Sequence, residues 1–185
     1  MAALRDMSHH DLYPDALLRR ILGCVRTIAM VGASPDWHKA SSFAMKYLQT
    51  KGYRVIPVNP RAAGKLILGE TCYASLRDIS LKETGPIDMV DVFRKASAAG
   101  PIVEDAIAIG AKIVWMQLGV RNDEAAAKAE DAGLTVIMNR CPKMEYGKLS
   151  GEWAWVGGAS GIISSRKQTL HASGKMQSLG IGKTF

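Results

Sequence analysis

The stretch from Thr27 to Leu48 reads TIAMVGASPDWHKASSFAMKYL and joins an apolar run, a Gly-Ala-Ser turn and a helical pattern. That order is typical of a nucleotide-binding turn, where free backbone N–H groups at a helix start hold a phosphate. A GxGxxG fingerprint from Gly32 would need glycine where the chain has Ser34 and Trp37. The dinucleotide fingerprint is therefore absent, but the long polar loop from Ala33 to Ala40 still favours a ligand site.

The end of the second predicted strand gives a second test, because a NAD site would present Asp or Glu to the adenosine ribose there. The chain instead reads VIPVNPRAAGK, with Asn59, Pro60 and Arg61 in that place and Lys65 close behind. Cationic side chains suit a phosphate on the ribose, so NADP and other 2′- or 3′-phosphorylated adenosine compounds remain open. The alternative role of Arg61 and Lys65 is that of solvated surface cations.

Groups that could carry catalysis are scattered along the chain. The four histidines are His9, His10, His38 and His171. Their spacing is typical of neither a catalytic triad nor a metal site, so we assign His9 and His10 to a solvated N-terminus and His38 to contact with phosphate or solvent. Asp91 is a strand-end carboxylate without an evident partner, and Cys141 fits a buried small residue better than a thiol that exchanges with a ligand thiol. The sequence thus predicts no catalytic residue and no metal site.

One repeated unit predicts the elements that position these groups. Three helical patterns end at Gly52, Gly110 and Gly133, and an apolar run follows each glycine. The five predicted strands cover 27–32, 53–58, 87–93, 111–117 and 134–138. They are continuously apolar, as expected of parallel strands covered on both faces.

Four helical patterns accompany the predicted strands. They cover 14–24, 41–51, 101–109 and 123–132, and Asn122 is the expected N-cap of the last. Helices alternating with strands predict an α/β fold, namely a Rossmann-like doubly wound five-stranded parallel sheet with helices on both faces. In such sheets ligands bind beyond the carboxyl ends of the strands, where Gly32 and Asn59 lie.

Bulk properties limit the protein class. The chain has 185 residues, 48% of them hydrophobic, and its longest apolar runs are far shorter than the roughly 20 residues of a membrane-spanning helix. Three cysteines without a CxxC pair argue against disulfides and structural zinc. We therefore expect a soluble cytoplasmic protein that contacts no membrane.

The predicted domains are an N-terminal helix packing on the domain in 1–25, the sheet domain in 26–149 and a Gly-rich basic tail in 150–185. Four cations and Glu152 give that tail a charge of +3 out of +7 for the chain. Trp153 and Trp155 with the tail cations could support a nucleic-acid or protein interaction module. The charge is too sparse for us to favour nucleic acid, whereas a homo-oligomer or protein partner through the tail stays open.

Six motifs in order carry a resemblance to a known family: IAMVGAS, GYRVIPVNP, LGE with YASLRDI, DMVDVFR, EDAIAIGAKIVWMQLGV and NRCPKMEYGKL. From about Arg26 to Leu149 the chain resembles the small stand-alone CoA-binding proteins, which are similar in fold to the CoA-binding domain of the succinyl-CoA synthetase alpha subunit. The resemblance implies binding of coenzyme A or an acyl-CoA, without catalysis of its own. The synthetase's phosphohistidine domain has no counterpart in a chain of this length.

The resemblance implies fifteen ligand-binding residues in four groups, and the place of His38 in the polar loop adds it to the first group. The diphosphate group comprises Gly32, Ala33, Ser34, His38, Lys39, Ser41 and Ser42. The nucleotide group comprises Asn59, Pro60 and Arg61, the apolar wall comprises Val92, Phe93 and Arg94, and the pantetheine group comprises Gln117, Leu118 and Gly119. If backbone and phosphate meet at Gly32, then Gly32→Val is expected to abolish CoA binding and leave the fold intact.

The chain departs from the family at the helix start. Relatives carry Arg-Pro-Ser-Tyr where this chain has Lys39, Ala40, Ser41 and Ser42. Lysine lacks the bidentate fork of arginine, so weaker phosphate binding and a roomier pocket are expected. An NADP-dependent reductase is the alternative enzyme, and it would show itself by a copurified reduced nicotinamide.

Overall fold

A computed structural model describes residues 6–152 of the chain. The residues up to Tyr146 form one compact unit, and those from Gly147 onward belong to a second. The predictions for the tail cations, Trp153 and Trp155 lie outside the described residues, and the predicted domain boundaries stay predictions. Within the described part no helix is long and apolar enough to cross a membrane.

The central sheet has five parallel strands in the order β2-β1-β5-β6-β7. Their bounds are β1 Thr27–Val31, β2 Arg54–Val58, β5 Met89–Val92, β6 Ile113–Met116 and β7 Thr135–Ile137. A separate two-stranded hairpin, β3 Leu66–Ile67 with β4 Glu70–Thr71, was not predicted. Pro57 lies in the edge strand β2, where a missing N–H group costs the ladder least. The five predicted strands are confirmed, each shortened by one to three residues.

Within residues 6–152, six α-helices accompany the strands. Their bounds are α1 Asp15–Cys24, α2 Ala40–Thr50, α3 Leu81–Thr84, α4 Ala99–Ala108, α5 Asp123–Asp131 and α6 Pro142–Ser150. Short 3-10 turns cover Ser8–His10, Pro60–Ala62, Leu76–Asp78 and Ala96–Ala98. The four predicted helices are confirmed within two residues, whereas α3 and α6 were not predicted.

Local signals fixed the helix ends as expected. The Asn122 side chain accepts a hydrogen bond of 2.9 Å from the Ala125 N–H group, which confirms the predicted N-cap. Gly110 and Gly133 follow α4 and α5 with φ of +72° and +86°, a conformation that glycine adopts at little cost.

The core lies on both faces of the sheet. Val90, Val92 and Val114 pack on one face with α4 and α5. Every residue of β5 and β6 is buried, which explains why these strands are apolar except for Asp91. The fold class is therefore confirmed. β2 lies on one side of β1, and β5, the next strand of this sheet along the chain, lies on the other side. The strand order therefore reverses between β1 and β5, and the crevice there is the expected ligand position.

Candidate functional site

Gly32 ends β1 and lies at that crevice. Its N–H group donates a 2.8 Å hydrogen bond to the Val58 carbonyl, and its φ is +93°. A Cβ atom at this position would lie 2.4 Å from the Phe93 carbonyl oxygen. Packing between neighbouring strands therefore requires glycine here, and the expectation that Gly32→Val leaves the fold intact is wrong.

The loop after Gly32 is organised around Asp36. The Ser34 Oγ accepts a hydrogen bond from the Asp36 N–H group at 3.1 Å, so its hydroxyl proton stays available for another acceptor. His38 donates its backbone N–H to Asp36 Oδ1 at 3.0 Å, and its Nδ1 lies 3.1 Å from the same oxygen. These contacts from His38 lower the pKa of Asp36, which is exposed and ionised. The loop that was predicted to bind the diphosphate thus also contains a carboxylate, that of Asp36.

The start of α2 combines exposed backbone donors with a cation. Lys39 is the N-cap residue in an extended conformation, and its side chain makes no capping hydrogen bond. The first N–H groups of a helix lack intrahelical partners and attract anions. Ser41 and Ser42 are buried in the first turn, so the predicted helix start is confirmed, and their side chains lie largely inside the domain.

Asn59 fixes the geometry at the end of β2. Its Nδ2 donates to the Ala33 carbonyl at 2.7 Å, and its Oδ1 accepts from the Arg61 N–H group at 3.0 Å. Both side-chain polar groups therefore connect backbone segments, and the buried Ala33 is held by one of them. Asn59 therefore shapes the site, and only the exposed part of its surface is available to contact a ligand.

The first cleft, about 280 Å³ in volume, opens at the ends of β1 and β2. Of the predicted residues, Gly32, Asn59, Pro60 and Arg94 line it. Its wall also includes Ser75, Leu76, Pro101, Ile102 and the acidic Asp105, to which sequence reasoning assigned no part in ligand binding. Ser75 and Leu76 belong to the motif YASLRDI, which marks the family without marking a contact, whereas no motif included Pro101 and Ile102.

The second cleft, about 580 Å³ in volume, lies at the ends of β5 and β6. Phe93, Gln117 and Leu118 line it, together with Lys95 and Val120, which were not predicted. Arg94 and Ala98 line both clefts, so the two are adjacent. Their volumes are in the range of small-molecule sites.

The residues at the end of β5 divide between core and surface. Val92 is fully buried in the core under α4, so its predicted place in the ligand-facing wall is wrong. Phe93 is half-buried and Arg94 is exposed, and these two form the wall.

Four cations near the carboxyl edge of the sheet have no acidic partner in the described part of the chain, and two of them, Arg94 and Lys95, line the clefts. Within the described residues, no ion pair involves Lys39, Arg61, Arg94 or Lys95, whereas Arg77 is paired with Asp105 at 2.5 Å. Unpaired cations at the carboxyl edge of a sheet leave a positive potential that a polyanionic ligand would neutralise.

Asp91 is fully buried one residue before Val92. Gln117 Nε2 donates to its two carboxylate oxygens at 2.9 Å and 3.2 Å. Burial raises the pKa of Asp91 to about 7, although the Gln117 hydrogen bond opposes this rise. The amide of Gln117 is therefore hydrogen-bonded to Asp91, and only the small part of Gln117 that lines the second cleft can contact a ligand.

Cys141 precedes α6 and is partly buried. Burial raises the pKa of its thiol, and the charge of the nearby Asp91 adds to that rise. A thiol in this setting stays protonated and is a poor nucleophile. The Gly119 N–H group donates a hydrogen bond of 2.8 Å to Asn139 Oδ1, and the neighbouring Leu118 is half exposed.

Comparison with known proteins matches residues 26–147 to the CoA binding domain family. The chain is 35% identical over 131 residues to the uncharacterised protein YneT of Bacillus subtilis (strain 168), which covers 71% of this chain and 93% of YneT. A solved hypothetical protein from Pyrococcus horikoshii OT3 is 40% identical with a TM-score of 0.70, over 82% of this chain and all of that one. The dinucleotide-forming acetyl-coenzyme A synthetase 1 of Ca. Korarchaeum cryptofilum shares the fold, with 24% identity and a TM-score of 0.54 over 66% of this chain and 28% of the synthetase. The family match spans both clefts.

Proposed function

Since the chain belongs to the CoA-binding domain family, we propose that it binds coenzyme A or an acyl-CoA in the crevice between β1 and β5. The observation that carries this proposal is Arg94, a cation with no acidic partner among the described residues that lines both clefts at the switch in strand order. Coenzyme A has three phosphate groups and a long neutral arm. Its phosphates suit the cation Arg94, and its two ends suit the clefts on either side of Arg94.

The proposed ligand follows the carboxyl edge of the sheet. Its diphosphate lies over the start of α2, where Lys39 and Ser34 add to the helix N–H groups. The adenosine and its 3′-phosphate occupy the first cleft beside Pro60, and the exposed Arg61 follows Pro60 in the chain. The pantetheine arm crosses Arg94 into the second cleft, where exposed apolar side chains such as Leu118 supply contact area.

We propose that the protein binds CoA or an acyl-CoA without catalysing a reaction. The buried carboxyl group of Asp91 and the protonated thiol of Cys141 line neither cleft. Neither is paired with a base or nucleophile in the way that acyl transfer requires. The alternative of an NADP-dependent reductase predicts tighter binding of NADP than of CoA.

Calorimetric titration of the full chain tests the proposal. CoA is expected to bind several-fold more tightly than 3′-dephospho-CoA, because a charge-assisted contact to phosphate is worth about 1.5 to 3 kcal/mol. Arg61→Gln is expected to reduce this preference, and Arg94→Gln is expected to weaken both compounds.

Arg20→Gln is the matched control, because Arg20 is exposed on α1 and lines neither cleft. Equal affinity for CoA and 3′-dephospho-CoA would remove Arg61 from phosphate recognition. NADP or NAD binding more tightly than CoA would refute the proposed function as a whole.

A further inference from the structure

Two histidines and a glutamate meet outside the crevice. His9 and His10 lie in the 3-10 turn Ser8–His10, and Glu130 lies near the end of α5. Their ligand atoms all lie within 4.8 Å of one another, although the histidines and Glu130 are some 120 positions apart in the chain. None of the three lines either cleft.

His10 contradicts the expected solvated N-terminus. Its side chain is buried, with 3% of the residue exposed. Its Nδ1 lies 2.7 Å from the Tyr13 hydroxyl oxygen, which in turn accepts a 2.8 Å hydrogen bond from the Met138 N–H group. The ring is therefore fixed in orientation by contacts to the end of β7, whereas His9 is half exposed.

The second ring nitrogen of His10 points into the cluster. Among the described residues, His10 Nε2 has no hydrogen-bond partner, although it is completely shielded from solvent. Glu130 Oε1 lies 3.2 Å away, close enough for attraction but not aligned for a hydrogen bond. Buried polar atoms without partners are rare because they lose hydration without compensation. This nitrogen therefore calls for an additional ligand.

The distances fit a shared metal ion. Glu130 Oε1 lies 2.9 Å from His9 Nε2 and 3.2 Å from His10 Nε2. Two ligand atoms bound to tetrahedral zinc at about 2.0–2.1 Å are separated by roughly 3.3 Å, so small side-chain movements suffice. Two imidazoles and one carboxylate are a typical zinc set that leaves a fourth position for water.

We propose that His9, His10 and Glu130 bind a divalent transition-metal ion, with Zn²⁺ as the expected occupant. In the bound form His10 coordinates through Nε2 and donates its Nδ1 proton to the Tyr13 hydroxyl oxygen. An outer hydrogen bond of this kind orients a metal-binding histidine. The ion would connect the N-terminal turn to α5, which lies beside the edge strand β7.

The charges around the cluster are compatible with a cation. Arg121 is the nearest positive side chain, and ion pairs with Asp11 and Asp123 compensate it. Burial, and next the neighbouring His9, lower the pKa of His10. Glu130 adds the negative charge that favours a divalent ion.

Titration of metal-free full-length protein with Zn²⁺, and separately with Co²⁺, tests the site. One ion per chain is expected to bind with micromolar or tighter affinity, and Co²⁺ is expected to give the visible absorption of a tetrahedral centre. His9→Ala and Glu130→Gln are each expected to weaken binding at least about tenfold. Zn²⁺ is also expected to raise the melting temperature of the parent, and to raise that of the two variants much less.

Glu124→Gln is the matched control, because it removes an exposed carboxylate from the same helix and makes the same change in charge as Glu130→Gln. It is expected to bind Zn²⁺ as the parent does. Parent affinity in folded His9→Ala and Glu130→Gln proteins would overturn the proposal. So would weakening by Glu124→Gln equal to that by Glu130→Gln, or the absence of stoichiometric binding by the parent.

Discussion

Asp91→Asn is expected to increase the free energy of unfolding relative to the parent more at alkaline pH than at acid pH. The Asp91 carboxyl is completely buried, and its only hydrogen-bond donor among the described residues is the Gln117 amide. Its pKa rises from 3.8 to about 7 on folding. Because the folded state holds the proton more tightly, folding is favoured at low pH and loses that contribution as pH rises from about 4 to about 7.

The size of this effect follows from the two pKa values. With about 1.4 kcal/mol per pKa unit, ionisation of Asp91 lowers the free energy of unfolding by about 2 kcal/mol at pH 5 and about 4 kcal/mol at pH 8. Asparagine has nearly the same shape, can accept the same hydrogen bond from Gln117 and carries no charge. Its buried NH₂ group costs about 1 to 3 kcal/mol at every pH if it finds no acceptor.

Urea unfolding of parent and Asp91→Asn at the two pH values measures the difference. The stability of the variant relative to the parent is expected to rise by about 2.5 kcal/mol from pH 5 to pH 8. Glu124→Gln, which alters an exposed carboxylate, is expected to show no such change. A stability difference that is independent of pH, or that moves in the opposite direction, would refute the reasoning about Asp91.

Two further predictions concern the start of the site. Lys39→Arg is expected to keep or strengthen CoA binding, because a guanidinium can contact two phosphate oxygens, whereas Lys39→Glu is expected to weaken binding by repulsion. Calorimetry measures both variants, and equal CoA affinity of the parent and the two variants would exclude Lys39 from the site. Gly32→Ala is expected to destabilise the fold by at least about 2 kcal/mol, because its Cβ would contact the Phe93 carbonyl oxygen at a φ of +93°. Thermal unfolding tests it, and a melting temperature equal to that of the parent would contradict the packing argument.

Part of the candidate site follows from local pattern and part does not. The turn at Gly32 was predicted, and the start of α2 was predicted at Ser41, one residue from its observed position, because both depend on neighbours in the chain. The ligand-facing role of Val92 was wrong, because both faces of β5 are covered and a residue inside the strand is buried whichever face its side chain takes. Arg94 was predicted as a site residue, but its place between two clefts depends on the strand order.

By itself the sequence determined the class of the fold, because glycine at helix ends, capping residues and continuous apolar strands act over a few positions. It did not determine which segments meet. His10 and Glu130 are 120 positions apart, and Gly32 and Phe93 are 61 apart. Contacts of that range depend on strand order and register, which result from the packing of the whole sheet and its helices. For that reason only the tertiary structure revealed why position 32 needs glycine and where His10 lies.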